Sequence, residues 1–405
     1  MYLTPEEEQI LNGDQGEALR TAMALLVDVG DFFDASKLIT AASAHISGVS
    51  YLTGGDGLID QLELFVNMGA KVSIPSTLNP CGMDRHNWES MYINLEFATK
   101  QLRILQLFEE LEVSTTCSCT PYDYGHLLNK GQHVAWAESS AVAFANSFFG
   151  ARTNKEDSLT VLAAAIIGKT PYYGFHITEE RVPNTEVIVD TPVVEYTDYS
   201  ILGEITGTAF KKKSFQFGAI PVFKRLKNPR PQEIKALGAA LASFGTQLFH
   251  IQGVTPEQEL IESGHIDETL IVTETMMKET IDHLKPKSEV DLVVIGCPNA
   301  NLEEIKNVTK LVKGKKLKKG KEFWIFSSNA QKGIADSAGY LKVLNESGVK
   351  FIVDTCPEVM PYDKTKFKTI LTNSVKAQHY ITAPSLNGIP TYILPLRECV
   401  KEVFE

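Results

Sequence analysis

Between residues 291 and 357 the sequence alternates short apolar, β-branched runs with stretches of helical periodicity. The apolar runs begin at Asp291, Glu322 and Val349, and helical patterns cover residues 301–312 and 329–346 between them. Strands that alternate with helices pair in parallel and are buried on both faces. The pattern therefore predicts an α/β fold with several layers, in which mainly parallel sheets are flanked by helices.

Two of these predicted strands end in a Cys-Pro pair, Cys297-Pro298 and Cys356-Pro357. Proline cannot continue the hydrogen-bond ladder, so each strand stops at its cysteine. In open parallel sheets, ligands lie just beyond the carboxyl ends of the strands. Two cysteines in equivalent positions therefore indicate ligands of a shared group.

The first third of the chain carries polar loops after its own predicted strands. Small and polar residues fill 44–51 and 71–84, which is the composition of a polar-ligand site on strand ends. The segment 114–122 contains Cys117 and Cys119, and strand periodicity points both side chains the same way. The residues alone leave open which of these two cysteines is a ligand.

A helical pattern from Glu138 stops at Gly150, and Arg152 and Asn154 follow on the next turn. An arginine at such a turn suits a planar anion such as a carboxylate or a phosphate. A surface arginine without a ligand is the alternative.

The whole chain sets broad limits on what it does. Its 405 residues are enough for two domains, which we place at 1–228 and 229–405, divided at the Pro-containing segment 225–231. No apolar run of about 18 residues predicts a membrane span, and the N-terminus lacks the features of a signal peptide, so a cytoplasmic protein is expected. The net charge of −11 argues against a nucleic-acid-binding surface.

Thiolates bind soft or borderline metals, chiefly zinc and iron-sulfur clusters. The chain has no C-x-x-C pair, and its cysteines near 117–119, at 297 and at 356 suit one cluster gathered from distant strand ends. Three thiolates leave one iron of a cubane free to bind substrate. A structural zinc site and buried thiols that only pack are the alternatives. Cys399 is assigned to packing, and the role of Cys81 stays open.

Several motifs taken together resemble the aconitase X family, and the match runs nearly from end to end. They are His45-Ile-Ser-Gly-Val-Ser-Tyr51, Ser76-Thr-Leu-Asn79-Pro with Gly82-Met-Asp84, Ser118-Cys119-Thr-Pro-Tyr122, Ala137-Glu-Ser-Ser-Ala-Val-Ala-Phe-Ala-Asn146-Ser147 with Gly150-Ala-Arg152-Thr-Asn154, Gly296-Cys297-Pro298 and Asp354-Thr-Cys356-Pro357.

Members of this family are hydro-lyases with an iron-sulfur cluster. The resemblance implies a cluster of the [4Fe-4S] type with one open iron, held by Cys119, Cys297 and Cys356. In the mechanism expected for such a hydro-lyase, His45 relays or donates a proton. The remaining loops would line the substrate pocket through Ser47, Gly48, Val49, Ser50, Ser76, Thr77, Asn79, Asp84, Glu138, Ser140, Asn146, Ser147, Arg152 and Asn154.

The resemblance is narrowest to an archaeal branch that dehydrates (R)-5-phosphomevalonate to trans-anhydromevalonate 5-phosphate. A bacterial branch, which dehydrates cis-3-hydroxy-L-proline, is the nearest alternative. Family members use a swivelling domain whose Gly-Thr-Ser-Gly-like loop carries a serine base, and this sequence contains no such motif. A heterodimer with a small subunit that supplies this domain is therefore expected. An iron-responsive RNA-binding protein is a further alternative that the acidic charge opposes.

Overall fold

The structure, a computed structural model, describes residues 1–211 and 217–405. Within these ranges the strands are β1 Leu38–Thr40, β2 Ala44–Ile46, β3 Ser76–Leu78, β4 Ala135–Trp136, β5 Lys169–Pro171, β6 Thr185–Asp190, β7 Pro221–Lys224, β8 His250–Ile251, β9 Glu268–Thr273, β10 Leu292–Ile295, β11 Glu322–Phe326, β12 Lys350–Ile352, β13 Ile370–Thr372 and β14 Thr391–Ile393.

Helices separate most of these strands along the chain. They are α1 Pro5–Asn12, α2 Glu17–Phe32, α3 Tyr51–Asn67, α4 Leu95–Glu110, α5 Ser139–Phe144, α6 Ser158–Ile167, α7 Tyr196–Phe210, α8 Pro231–Ala242, α9 Gln258–Glu262, α10 Glu274–Leu284, α11 Leu302–Val312, α12 Asn329–Ser337, α13 Tyr340–Ser347, α14 Val375–Thr382 and α15 Leu396–Val403.

Within the described ranges the strands form three parallel sheets and one antiparallel pair. The C-terminal sheet has the order β12-β11-β10-β13-β14, the middle sheet β8-β7-β6-β9 and the N-terminal sheet β3-β2-β4. Strands β1 and β5 pair antiparallel. The predicted α/β fold with mainly parallel sheets flanked by helices is confirmed.

The C-terminal sheet shows why its strands read as unbroken apolar runs. Leu292 and Val294 of β10 pack into a core shared with Trp324. The alternate residues Val293 and Ile295 pack into a second core on the opposite face, against α11 and α15. Since successive side chains of a strand point to opposite faces, burial on both faces requires every residue to be apolar.

Two helix starts follow directly from their sequences. The Thr4 hydroxyl accepts a hydrogen bond from the Glu7 backbone N–H, and the Glu7 side chain accepts one from the Thr4 backbone N–H. Asn301 and Glu304 form the same reciprocal pair at the start of α11. Each pair satisfies two backbone donors that the helix leaves without partners.

One predicted helix is wrong in its length. The periodic stretch 329–346 forms two helices, α12 and α13, rather than one. Gly339 separates them in the left-handed region, with φ 76°. Glycine adopts this conformation without the steric cost that other residues meet, so the chain turns at this point.

The carboxyl ends of the N-terminal and C-terminal sheets meet. Cys81, which follows β3, donates its backbone N–H to the carbonyl oxygen of Asp354 at 2.9 Å, beyond the end of β12. The Arg85 guanidinium binds both carboxylate oxygens of Asp354, at 3.0 and 3.1 Å. These contacts bring the loops of two separate sheets to one place.

The predicted boundary between the two domains lies within the residue range of one sheet. The predicted division between residues 228 and 229 falls between β7 and β8, and these two strands pair in the middle sheet. Helix α8 connects them and packs against α7. The middle sheet therefore contains residues from both sides of the predicted boundary.

No helix within residues 1–211 and 217–405 is long and apolar enough to cross a membrane.

Candidate active site

Asn299 connects three loops that each carry a buried cysteine. Its backbone N–H donates to the Cys119 Sγ at 3.2 Å, and its side-chain oxygen accepts the Cys119 backbone N–H at 3.1 Å. Its side-chain amide donates to the carbonyl oxygen of Thr355, directly before Cys356, at 3.3 Å. Because Asn299 itself lies two residues after Cys297, one residue holds all three cysteine loops together.

Each loop continues from a parallel strand. Cys297 follows β10 and Cys356 follows β12, both in the C-terminal sheet. The segment that leads to Cys119 pairs in parallel with β3, through Ser114 opposite Thr77. The site therefore lies where the strand ends of two sheets face one another, which is the usual location of ligands in open parallel sheets.

The three thiols are buried and are held in their protonated form. Burial, followed by the negative charge of Glu138, raises the pKa of Cys119 to about 12. Burial and then Glu358 raise the pKa of Cys297 and of Cys356 well above the usual range. The Cys297 thiol donates to the Glu358 Oε1 at 2.5 Å. A positively charged metal group at this position would reverse this balance and favour thiolates.

Among the residues that the structure describes, no three His, Cys, Asp or Glu side chains converge as ligands of a single metal ion. The thiols of an iron-sulfur cubane bind different iron atoms, so such ligands surround a cluster rather than a point. The donor set of three buried thiols, with a backbone N–H directed at one sulfur, fits a cluster of this kind.

A cavity of about 480 Å³ opens beside the cysteine loops. Glu358, which contacts Cys297, belongs to its wall. The other walls come from the N-terminal loops, from Lys155 and from helix α14 with the loop that follows it. This volume lies in the range that accommodates small organic ligands.

Lys376 forms the charged centre of the cavity wall. Its ammonium donates to a Glu138 carboxylate oxygen and to the Ser140 hydroxyl, the latter at 3.2 Å, and lies 3.7 Å from a Glu358 oxygen. Burial would raise the pKa of Glu138, but the charge and hydrogen bonds of Lys376 and Ser140 overcome this and hold it at about 2. Glu138 is therefore ionised, and Lys376 keeps its proton.

A hydrogen-bonded chain of buried side chains fixes Asn79 in the wall. Its amide donates to Glu138 at 2.8 Å, so its oxygen faces the His45 Nε2 at 3.4 Å. The His45 Nδ1 then accepts from the Thr77 hydroxyl at 2.9 Å, and that hydroxyl accepts from the His126 Nε2 at 2.8 Å. Burial lowers the pKa of His45 to about 3 and that of His126 to about 4, so both rings are neutral.

Family models for the aconitase X first, second and third domains match residues 1–179, 183–282 and 290–405. The chain belongs to the aconitase X family.

Individual relatives agree with the family assignment. A protein of Methanocaldococcus jannaschii named phosphomevalonate dehydratase large subunit is 43% identical and covers 94% of this chain and 95% of its own length. The protein of the same name from Methanosarcina mazei is 39% identical, and the alignment covers 99% of this chain and 97% of that protein. The Pseudomonas aeruginosa cis-3-hydroxy-L-proline dehydratase is 30% identical, with 98% of this chain and 68% of its own length covered.

A solved structure supports the same fold. The crystal structure of Thermococcus kodakaraensis aconitase X in its holo-form aligns with a TM-score of 0.91 at 39% identity, and the alignment covers 100% of both chains.

In this aconitase X chain, several predicted pocket residues line the cavity or support its wall. Ser47, Gly48, Asn79 and Glu138 line it. A second set lies directly behind the lining residues. The Ser140 hydroxyl donates to Glu138 at 2.9 Å, and His45 contacts Asn79. Thr77 in turn holds the His45 ring. His45 has no exposed surface and reaches the cavity only through Asn79.

The predicted residues that follow Ser140 along the chain lie elsewhere in the aconitase X fold. Arg152 donates to the His176 carbonyl oxygen and to the Thr178 hydroxyl, both at 2.8 Å. The partners of three neighbours are likewise internal: Asn146 bonds to the Thr153 and Gln247 backbone, Ser147 accepts the Phe249 N–H, and Asn154 bonds to the Tyr173 and Phe175 backbone. None of these four lines the cavity.

Four further predicted residues do not line the cavity themselves. Val49 packs in the N-terminal core, and the Ser76 hydroxyl donates to the Ile74 carbonyl oxygen. The Ser50 hydroxyl donates to the Val359 carbonyl oxygen at 2.6 Å and caps α3. Asp84 accepts backbone N–H groups from the turn that follows it.

The remaining thiols of the aconitase X chain are buried. Cys81 donates to the Met83 carbonyl oxygen at 3.1 Å. A hydrogen bond with Cys81, together with burial, raises the pKa of Cys117 well above its usual range. Cys399 packs in α15 against the C-terminal sheet, as expected from its place in an apolar helix face.

Four lining residues with acidic or basic side chains are not among the predicted ones: Lys376, Glu358, Lys155 and His379. Glu358 lies two residues after Cys356, and Lys376 lies four residues after the end of β13. Strand β13 pairs with β10, so its carboxyl end lies beside the Cys297 loop. The strand-end rule that identified the cysteines would have found Lys376 if it had been applied to β13.

Proposed function

We propose that this chain is the large subunit of an iron-sulfur hydro-lyase that dehydrates (R)-5-phosphomevalonate to trans-anhydromevalonate 5-phosphate. The observation that carries the proposal is the junction of three cysteine loops at Asn299, directly beside a cavity with a buried lysine. The names of the most similar relatives support the substrate. Their designation as large subunits supports a small-subunit partner.

Cys119, Cys297 and Cys356 would hold the cluster, which we take to be of the [4Fe-4S] type with three cysteine ligands. A cluster with an open iron acts as a Lewis acid, which makes a bound hydroxyl a better leaving group. The Asn299 backbone N–H, directed at the Cys119 sulfur, would stabilise that thiolate.

The chain's own polar residues would bind and orient the substrate. The Lys376 ammonium is the natural partner for the substrate carboxylate, since it faces the cavity and keeps its proton. Asn79, held by Glu138 and His45, would direct a hydrogen bond from a fixed position. His45 acts here as a positioning residue, because Asn79 separates it from the cavity.

The proton next to the carboxylate would be removed by a serine of the small subunit, on its swivelling domain. Glu138 is a weak base because Lys376 holds its pKa at about 2. A general base works best when its pKa lies near the working pH. The cavity is open to solvent along α14, and the small subunit would close it there.

The experiment is an anaerobic reconstitution of the chain with its small subunit, followed by assays with two substrates. We expect dehydration of (R)-5-phosphomevalonate and about three to four irons for each large subunit. Turnover of cis-3-hydroxy-L-proline in place of phosphomevalonate would overturn the substrate assignment. Absence of iron and sulfide from fully active enzyme would overturn the cluster.

A further inference from the structure

Two basic side chains in the cavity wall, a lysine and a histidine, have no hydrogen-bond or ion-pair partner among the residues that the structure describes. Lys155 and His379 both line the cavity, and neither side chain forms an ion pair or hydrogen bond with any residue of the described ranges. Lys376, by contrast, is matched by Glu138 and Glu358. The cavity wall therefore has one part in which carboxylates balance the charge of Lys376, and another in which no carboxylate balances the charge of Lys155.

Helix α14 carries one residue of each region, Lys376 and His379, along one wall of the cavity. Lys376 and His379 are three residues apart, so they lie on the same face of the helix, about 4.5 Å apart along its axis. Lys376 is 2% exposed, whereas His379 is an exposed residue. One wall of the cavity thus runs from the buried cysteine loops towards solvent.

Further positive charge lies beside the exposed end. The Lys211 ammonium lies 5.8 Å from the centre of the Phe244 ring, and that ring lies 5.9 Å from the His379 ring. Burial, followed by the charge of Lys211, lowers the pKa of His379, so the ring is neutral at neutral pH and offers one N–H donor, while Lys155 and Lys211 supply the positive charge. In a chain with a net charge of −11, this local positive region favours an anion.

We infer that Lys155 and His379 bind the phosphate group of the substrate. The inference rests on the proposed function, in which the substrate carries a carboxylate at one end and a phosphate at the other. A phosphate carries a charge of about −1.5 to −2 and three acceptor oxygens, which suits two unpaired donors near solvent. The carboxylate then lies at Lys376, beside the cysteine loops.

This arrangement makes Lys155 and His379 determinants of specificity. A hydroxy acid without a phosphate, such as mevalonate, would place its carboxylate in the same way but would leave both donors without a partner. The preference for a phosphorylated substrate should therefore depend on these two residues and not on Lys376.

The test compares Lys155→Gln, His379→Gln and the double variant in the reconstituted pair. We expect each single change to raise KM for (R)-5-phosphomevalonate about 10-fold and the double change about 100-fold, with kcat changed less than about twofold. Any turnover of unphosphorylated mevalonate by the wild-type pair should keep its rate in the variants. Lys227→Gln is the matched control, since Lys227 lines a separate cavity at the end of β7.

A direct binding measurement separates this inference from the proposed function. Titration with propyl phosphate should show binding to the wild-type pair that both single variants weaken. If the wild-type pair binds propyl phosphate in this way but does not dehydrate phosphomevalonate, only the proposed function fails. If the variants bind propyl phosphate as the wild type does, or if KM rises equally for mevalonate, the phosphate assignment is wrong.

Discussion

At the scale of single residues, Asn299 contributes both its backbone and its side chain to the candidate cluster site. It reaches the Cys119 loop through two hydrogen bonds and the Cys356 loop through a third. Asn299 is not itself a proposed ligand, but it holds the loops that carry the ligands. Such a residue affects metal affinity because it fixes the orientation of the ligand side chains. The cysteine positions are therefore fixed before any metal binds.

Cys356→Ser provides the direct test of the ligand assignment. A serine oxygen is a poor ligand for iron in a sulfur-rich cluster, so we expect iron content to fall and activity to drop about 100-fold or more. Iron analysis and the visible spectrum of the anaerobic pair measure this loss. Cys399→Ala is the control, because that thiol packs in α15 and should leave iron content unchanged. Full iron content in the serine variant would contradict the assignment.

The buried pair of Glu138 and Lys376 predicts a specific pH dependence of stability. The pKa of Glu138 falls from its ordinary value of 4.5 to about 2 in the folded chain. A lowered acid pKa contributes stability above the unfolded pKa, and that contribution is lost as pH falls towards the folded pKa.

We therefore expect Glu138→Gln to destabilise the chain at neutral pH by roughly 1–3 kcal/mol, with a smaller deficit near about pH 3. Urea unfolding at several pH values measures the difference. Glu63→Gln is the control, since its partner Arg103 and the carboxylate are both exposed. A deficit that stays constant across this pH range would show that Glu138 is not held ionised by Lys376.

Candidate site residues could be predicted from the sequence where a residue type is unusual for its position. The two Cys-Pro pairs at strand ends were visible because cysteine and proline are rare there, but Cys119 and Cys117 could not be separated without the family resemblance. Lys376 escaped because a lysine in a short amphipathic helix has the appearance of a surface residue. Only the pairing of β13 with β10 reveals that this helix starts beside the Cys297 loop.

At the scale of elements, the join between β10 and the Cys297 loop depends on Gly296. It adopts φ 103°, and a Cβ at this position would lie 2.1 Å from the Phe326 carbonyl oxygen. Backbone atoms of a central strand cannot move away cheaply, so Gly296 allows the chain to turn towards the site.

Gly296→Ala should lower the free energy of unfolding by about 3 kcal/mol or more and reduce iron content, because the clash displaces the Cys297 loop. Denaturant unfolding and iron analysis test both effects. Gly314→Ala is the matched control, since Gly314 has φ 77° with no atom within 4 Å of an added Cβ. It should cost about 1 kcal/mol and leave iron content intact. Equal effects of the two changes would mean that the contact with Phe326 is unimportant.

Element types followed from local signals more reliably than element ends did. The capping boxes at Thr4 and Asn301 are signals of this local kind, because each acts within four residues of the chain. The break between α12 and α13 was missed because the apolar periodicity continues across Gly339. A single glycine inside a periodic pattern does not show whether the backbone turns there.

At the scale of the whole molecule, the sheets bring together segments that are distant in sequence. The division predicted at residues 228 and 229 relied on a local Pro-containing segment, whereas β7 and β8 pair across the helix between them. Strand pairing over such distances leaves little trace in a single sequence. The hydrogen bond between the Cys81 backbone N–H and the Asp354 carbonyl oxygen is another contact between segments distant in sequence. Contacts of this kind bring the N-terminal loops to the C-terminal cysteines.

Under the proposed function the catalytic base comes from a small subunit, which leads to a prediction about assembly. Glu138 is a weak base at neutral pH, and Glu358 already accepts a hydrogen bond from the Cys297 thiol. His45 is neutral and lies behind Asn79. Under the proposed function we therefore expect a second subunit to supply the proton acceptor.

The large subunit alone should bind substrate yet show dehydratase activity at least about 100-fold below that of the pair, since general base catalysis contributes about 10²- to 10⁴-fold. Mixing the separately purified subunits should restore activity at a stoichiometry of one to one. The control is a pair in which the serine proposed as the base of the small subunit is replaced by alanine, which should bind the large subunit but remain inactive. Activity of the lone chain within about tenfold of the pair would place the base within this sequence and would shift attention to Glu358, the remaining carboxylate that lines the cavity beside a cysteine.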